Sequence, residues 1–170
     1  PMKLQNVKGL NMYNNLIVTQ IMAMSKDKFI GDKNTIPWRC REDMRHFAKN
    51  TKGKVCIMGR ATYQSIQPPL KDRFVIVVTN NLEVAAEVRT HDLHMVAGSV
   101  LEALAMASTM ALEGEVMVVG GRQIYQQTMQ YTDRLMLSTI NVELKQADTA
   151  MDWEIPDHVE IIPFEFEVNA

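Results

Sequence analysis

The sequence predicts an α/β fold, with a mixed but mostly parallel central sheet flanked by helices. Short apolar runs rich in β-branched residues alternate with stretches of helical periodicity, a pattern typical of parallel strands joined by helices. The chain has 170 residues, of which 46% are hydrophobic. This is enough for one core and too little for two ordinary domains, so we predict a single domain.

The predicted strands and helices begin after a polar, asparagine-rich segment. Residues 1–15 show no periodicity, so we expect a partly disordered N-terminal extension followed by a folded domain over residues 16–170. The predicted strands are Leu16–Met24, Lys54–Met58, Phe74–Thr79, Leu93–Ala97, Glu115–Val119, Arg134–Val142 and Val159–Val168. The predicted helices are Arg41–Lys49, Ala61–Ile66, Val100–Met110 and Gln123–Gln130.

Two local signals refine this order. Ser99 followed three residues later by Glu102 forms a capping box, which sets the start of the third predicted helix. Only the loop containing residues 148–156 separates the last two strands, without a helix between them. The sequence therefore predicts antiparallel pairing at the end of the sheet.

Charge and cysteine content narrow the classes of partner. The formal net charge is −2 and the sequence pI is about 6.1, so nothing favours nucleic acid or an anionic membrane as partner. Cys40 and Cys56 are the two cysteines, and their spacing fits no zinc motif. With no recognisable signal peptide or bilayer-spanning run, we predict free thiols, a cytoplasmic location and no metal site.

The first candidate site follows the first strand, in residues 30–47. Trp38 is a large apolar side chain in a predicted loop, and Asp43 lies on one face of the next helix with Met44 and Phe47. Asp43 could simply favour the positive end of the helix dipole. Alternatively, it is a desolvated carboxylate with a raised pKa that pairs with two donors of a ligand. The residues alone leave both interpretations open.

Glycines connect strand to helix at two further places. Gly59 is followed by Arg60 and Thr62, and Gly120 and Gly121 precede another helix. Such helix starts bind phosphate through backbone N–H groups, although an ordinary turn with a solvated arginine is the alternative at the first and a lone Gly-Gly is weak evidence at the second. Two such turns on one small sheet favour a dinucleotide bound at the carboxyl ends of the strands.

A double-proline turn precedes Arg73 in residues 68–73. An arginine fixed beside a pocket can pair with a carboxylate through two parallel hydrogen bonds. Most arginines are solvated instead, so this segment has no assigned role without its context.

Taken in order and spacing, five segments resemble the dihydrofolate reductase family over residues 16–168. They are IGDKNTIPW with Asp43 and Phe47 behind it, IMGRATYQSI, PPLKDR, VVGGRQIY, and DRLMLSTI followed by ADT. The resemblance implies reduction of 7,8-dihydrofolate to 5,6,7,8-tetrahydrofolate with NADPH as cofactor. Hydride passes from the nicotinamide to the pterin C6, and a proton reaches N5 through water near Asp43.

The resemblance also assigns roles to individual residues. Asp43 would hold the pterin's 2-amino group and the adjacent ring nitrogen, Ser138 would share a water with that carboxylate, and Trp38 belongs to the loop that closes over the nicotinamide. Arg73 would pair with the substrate's α-carboxylate. The other substrate residues are Ile21, Met22, Ala23, Met44, Phe47, Ile66, Leu70, Val119 and Tyr125. The cofactor residues are Ala23, Ile30, Gly31, Asn34, Gly59, Arg60, Ala61, Thr62, Thr79, Asn80, Val119, Gly120, Gly121, Arg122, Gln123, Ile124 and Tyr125.

Three departures from the family pattern qualify these roles. Ala61 and Gln123 stand where many relatives place polar or basic groups, so Arg60 is the cation left for the adenosine 2′-phosphate. Tyr63 replaces a tryptophan of some relatives. The sequence ends near the family's penultimate strand, so we expect a sheet that lacks its usual final strand.

An uncovered edge of the sheet would favour association. We expect residues 1–15 or a second chain to cover it, giving a monomer or a homodimer with the dimer slightly favoured. Two other functions stay open, namely a reductase of the same fold acting on a pyrimidine or other pterin-like substrate, and a non-catalytic structural protein. Asp43 and Arg73 argue against the first because they match the two ends of a folate.

Overall fold

A computed structural model describes residues 16–31, 37–66, 69–111 and 113–168. The predicted N-terminal extension and the predicted cofactor residue Asn34 lie outside these described residues. The strands are β1 (Ile17–Ser25), β2 (Phe29–Gly31), β3 (Val55–Gly59), β4 (Phe74–Val78), β5 (His94–Ala97), β6 (Glu115–Gly120), β7 (Arg134–Ile140), β8 (Thr149–Ala150) and β9 (Glu160–Phe166). The helices are α1 (Arg41–Thr51), α2 (Arg60–Ser65), α3 (Leu82–Val88), α4 (Val100–Met110) and α5 (Arg122–Thr128), with a 3₁₀ turn at Met129–Tyr131.

Seven strands form the central sheet in the order β5-β4-β3-β6-β1-β7-β9. Every pairing in this sheet is parallel, and β2 pairs with β8 in a separate antiparallel ribbon. The predicted fold class is therefore confirmed.

The predicted antiparallel pairing at the end of the sheet is wrong. β9 lies parallel to β7, in a register that runs from Arg134 opposite Glu160 to Ile140 opposite Phe166. Parallel neighbours need a connection long enough to return to the starting end of the sheet, usually a dozen residues or more. Residues 141–159 provide that length without a helix.

Both faces of the sheet are covered, as the alternation along β3 shows. Val55 and Ile57 belong to one buried apolar cluster, whereas Cys56 and Met58 belong to a second. Since successive side chains of a strand point to opposite faces, two cores flank the sheet. The carboxyl ends of the strands are then left as the open rim on which a ligand can bind.

The helix starts follow their local sequence. Ser99 Oγ accepts a hydrogen bond from Glu102 N at 3.1 Å, and α4 has the predicted bounds. The Glu102 carboxylate accepts a hydrogen bond from Gly98 N at 3.0 Å, and not from Ser99 N as in a capping box. No helix within the described ranges is long and apolar enough to span a membrane.

Candidate active site

A cleft of about 1220 Å³ runs across the carboxyl ends of the sheet. Pockets for one small ligand usually enclose about 300–1,000 Å³, so this cleft has room for two. Every residue predicted to bind substrate lines it: Ile21, Met22, Ala23, Asp43, Met44, Phe47, Ile66, Leu70, Arg73, Val119 and Tyr125. Twelve further residues predicted to bind cofactor also line it: Ile30, Gly31, Gly59, Arg60, Ala61, Thr62, Thr79, Asn80, Gly121, Arg122, Gln123 and Ile124.

Three predicted residues lie elsewhere. Gly120 is buried behind the turn at the end of β6, Ser138 is buried on β7, and half-buried Trp38 precedes α1 without lining the cleft. The catalytic role of Trp38 stays a prediction.

Asp43 occupies the first turn of α1, where its backbone N–H donates to Cys40 Sγ at 3.4 Å. Burial raises the pKa of the Asp43 carboxyl above its usual value of 3.8, and the nearby Ser138 hydroxyl offsets part of that rise. Asp43 is therefore both a first-turn acid and a desolvated carboxylate, so the two interpretations of the sequence are compatible.

Ser138 offsets only part of the rise in the Asp43 pKa. Its side chain lies on β7 beside Ala23 of β1 and is 1% exposed, and its Oγ makes no hydrogen bond to any described residue. The hydroxyl is close enough to influence Asp43 without a well-formed bond between them. A partly buried carboxylate and a buried hydroxyl that lacks a partner among the described residues fit a ligand that brings N–H donors, or a water that joins the two groups.

The wall beside Asp43 is apolar and fixed. Phe47, Ile66 and Leu70 pack against the buried cluster on that side of the sheet. The Tyr125 hydroxyl donates to the Ile21 carbonyl at 2.7 Å, and Gln20 Nε2 donates to the Tyr125 carbonyl at 2.8 Å. Tyr125 therefore presents its ring and not its hydroxyl to a ligand, and this side of the cleft is mainly apolar.

Arg73 lies at the opposite end of α1 from Asp43. Its Nε donates to Thr51 Oγ1 at 2.9 Å and one terminal nitrogen donates to the Ala48 carbonyl at 3.3 Å. The other terminal nitrogen donates to the Lys71 carbonyl. A guanidinium has five N–H donors, so each terminal nitrogen keeps one donor for a ligand, which is the fork that binds a carboxylate.

The two glycine-led turns differ from the other helix starts. Asn81 and Ser99 cap α3 and α4 with their own side chains, whereas α2 and α5 begin at Gly59 and Gly121 without a side-chain cap within the described residues. Backbone N–H groups that lack a protein partner at the rim of the cleft fit an anionic ligand. These are the turns that the sequence predicts for phosphate.

Glycine is favoured by the backbone at the first residue of the second turn, and the next residue has little space for a side chain. Gly120 has φ +116°, which favours glycine, and a Cβ there would lie 3.1 Å from the Tyr125 ring. A Cβ on Gly121 would lie 3.3 Å from Thr62 Oγ1. The turn therefore lets the starts of α2 and α5 approach each other across the same part of the cleft.

Sequence reasoning missed part of the cleft wall, mainly where α3 and α4 begin. Gly98 follows β5 directly and its N–H is held by Glu102, while Asn80 Oδ1 lies close by. The position of Gly98 and Ser99 after a strand was a usable signal, because ligands bind at the carboxyl ends of parallel strands. The missed residues are Ala48, Ser65, Val78, Asn81, Gly98, Ser99, Val100, Gln127 and Thr149.

Fold and cleft together define an α/β enzyme class that binds a dinucleotide beside a second ligand at the carboxyl ends of parallel strands. A family model described as dihydrofolate reductase matches residues 17–161. The chain belongs to this family, and the prediction of a dihydrofolate-reducing oxidoreductase is confirmed.

Curated relatives cover most of the chain. The dihydrofolate reductase type 3 of Salmonella typhimurium is 34% identical over 146 residues, covering 86% of this chain and 82% of that protein. The dihydrofolate reductase of Bacillus subtilis (strain 168) is 34% identical over 129 residues, covering 76% of this chain and 72% of the relative. That of Mycoplasma genitalium is 27% identical over 152 residues, covering 88% and 93%.

Proposed function

We propose that this protein reduces 7,8-dihydrofolate to 5,6,7,8-tetrahydrofolate with NADPH, with the pterin at Asp43 and the substrate's α-carboxylate at Arg73. The observation that carries the proposal is the placement of these two side chains along one helix. Asp43 is in the first turn of α1, and Arg73 binds Thr51 in its last turn, roughly 12 Å further along the helix axis. This arrangement matches the layout of a folate. An acceptor lies at one end of the helix, a donor fork lies at the other, and apolar side chains lie between them.

Asp43 would hold the pterin by accepting two N–H bonds. A ligand that donates to both carboxylate oxygens replaces the solvation that burial removes, so binding would restore the charged form of the group. The Ser138 hydroxyl, which lacks a partner among the described residues, would orient a water on the same carboxylate. The proton for N5 would then reach the ring through that water.

The cofactor would lie across the remaining part of the cleft. A bound reduced nicotinamide supplies the hydride. Ile30, Gly31 and Ala23 would orient its ring, and the backbone N–H groups after Gly59 and Gly121 would hold its phosphates. For the 2′-phosphate, the exposed Arg60 is the cation we assign, since Ala61 and Gln123 are uncharged and Asp152 engages Arg122.

The direct test follows the absorbance of NADPH when purified protein and 7,8-dihydrofolate are added. Loss of absorbance that requires both protein and folate supports the proposal. Turnover of a pyrimidine substrate without turnover of dihydrofolate would favour the related reductase instead. Binding of neither NADPH nor folate would favour the non-catalytic alternative.

Oligomeric state and location stay predictions. Within residues 16–168, β9 pairs only with β7, and Glu160 N donates inward to the Asp133 carbonyl. Alternate residues of a strand point their N–H groups to the same side, so Pro163 belongs to the outward set and has no N–H to donate. This weighs against the strand-paired dimer favoured by the sequence, and sedimentation of the full chain tests it. Free, buried Cys40 and Cys56 are compatible with the predicted cytoplasm.

A further inference from the structure

Arg122 is the first residue of α5, directly after the Gly121 turn, yet its guanidinium is engaged by another segment. One terminal nitrogen donates to the Ala150 carbonyl at 2.9 Å and the other lies 2.8 Å from Asp152 Oδ1. The guanidinium carbon is also 5.8 Å from the centroid of the Trp153 ring. All three partners belong to residues 150–153.

That segment supports one wall of the cleft. β8 pairs with β2, placing Ala150 opposite Phe29 and Thr149 opposite Gly31, and Met151 N donates to the Lys28 carbonyl at 2.8 Å. Gly31 and Thr149 both line the cleft. A ribbon of two such short strands has little stability of its own, so contacts from outside it are needed to hold it in place.

We propose that Arg122 is a positioning residue that ties the start of α5 to β8, and through β8 holds the β2 wall of the cleft against the cofactor turn. Both of its terminal nitrogens are engaged, one by the Ala150 carbonyl and one by the Asp152 carboxylate, so a phosphate would have to compete with this tie for the guanidinium. The part of this inference that concerns the cofactor rests on the proposed function. The tie itself is a property of the chain without ligand.

Two substitutions separate a positioning role from a phosphate-binding role. Arg122→Ala removes the ion pair, the Ala150 bond and the ring contact, whereas Asp152→Asn removes only the ion pair. Glu154→Gln is the matched control, because it makes the same charge change at an exposed neighbouring position. Asp152→Glu keeps the charge and should restore most of the parental behaviour.

The first measurement is hydrogen exchange in the protein without cofactor. The Met151 amide and the other amides of residues 29–31 and 149–151 should exchange roughly tenfold faster in Arg122→Ala and a few-fold faster in Asp152→Asn. Glu154→Gln should match the parent, and the midpoint of global unfolding should move little in any variant. Unchanged exchange in both Arg122→Ala and Asp152→Asn overturns the proposal.

The second measurement is the dissociation constant of NADPH in the absence of folate. A positioning role predicts weaker binding in both Arg122→Ala and Asp152→Asn, with kcat lowered alongside. If Arg122 is instead a phosphate ligand, the two substitutions should change NADPH binding in opposite directions, because removing the Asp152 charge would free Arg122 and tighten binding. Tighter binding in Asp152→Asn also overturns the proposal. Should the parent fail to reduce dihydrofolate, the proposed function fails, while the exchange experiment still decides whether Arg122 ties α5 to β8.

Discussion

The two ends of the proposed site differ in how far their polar groups are shielded from water. At the proposed folate end, Asp43 is desolvated enough to raise its pKa, and the Ser138 hydroxyl is buried without a hydrogen-bond partner among the described residues. At the adenosine end, Arg60, Asn80 and Ser99 are all exposed. The first end would concentrate interaction in a few half-buried charged groups, whereas the second would spread it over several groups that water also reaches.

This difference sets the expected size of the effect of a single substitution. Removing one partner of a charge pair in a buried site typically costs about 2–5 kcal/mol. Exposed pairs are typically worth about 0–1 kcal/mol. We therefore expect the folate end to depend on individual residues and the adenosine end to tolerate their loss, and the following predictions test that contrast.

The largest effect is expected for Asp43→Asn at the folate end. The variant should lose about 10³-fold or more of kcat/KM for dihydrofolate near neutral pH, because a neutral amide cannot make the charge-assisted pair with the pterin. Steady-state kinetics measures the loss, and circular dichroism checks that the fold is retained. Glu42→Gln is the control, since Glu42 is an exposed acid in the same helical turn. Parental activity in Asp43→Asn would refute the assignment.

Arg73→Ala should have the next largest effect. Loss of the carboxylate fork should weaken binding of a glutamate-bearing folate by roughly 2–5 kcal/mol, towards the lower figure because the side chain is only half-buried. A small pterin without that tail should bind as it does to the parent. Titration of both ligands makes the comparison, with Lys71→Ala as a neighbouring control. Equal losses for the two ligands would show that Arg73 does not meet the tail.

Arg60→Ala should have a smaller effect, confined to cofactor choice. Removing the exposed cation should lower the ratio of kcat/KM for NADPH over NADH about tenfold or less, which would erase a modest preference. Turnover with each cofactor at saturating folate measures the ratio. Arg89→Ala, an exposed arginine that does not line the cleft, controls for net charge. A ratio unchanged from the parent would remove Arg60 from the 2′-phosphate site.

Much of the folate end could be predicted from the sequence because its signals are local. Asp43, Met44 and Phe47 share a helix face by spacing alone, and the glycines after β3 and β6 mark strand-to-helix turns. Strand positions were equally accessible, since a core strand must be apolar on both faces. The strand prediction at Arg134–Val142 thus differs from β7 only at its end.

The remaining features depend on contacts between distant segments. The parallel pairing of β9 is decided by the path of residues 141–159, which carries no local pattern of its own. α3 is a seven-residue helix whose start is set by the Asn81 cap, too short for a periodic signal. Arg122 sits in a turn that predicts phosphate binding, and only the position of Asp152 and Trp153 shows where its guanidinium is held.

The smallest effect concerns stability as a function of pH, and it too separates the two ends. Burial raises the Asp43 pKa above its usual 3.8, so between that pH and its folded-state value the folded protein holds a proton that the unfolded chain has lost. The free energy of unfolding contributed by this group therefore falls as pH rises through that window.

Asp43→Asn has no such group, so its stability relative to the parent should be lowest near pH 4 and should increase towards neutral pH. Arg60→Ala is the contrast, because it keeps the Asp43 carboxyl, so its difference in stability from the parent should be the same at each pH. Urea unfolding of the parent and both variants at intervals from about pH 4 to pH 7 measures the differences. A pH-independent difference for Asp43→Asn would mean that the carboxylate is solvated like the groups at the adenosine end, and the contrast between the two ends would not hold.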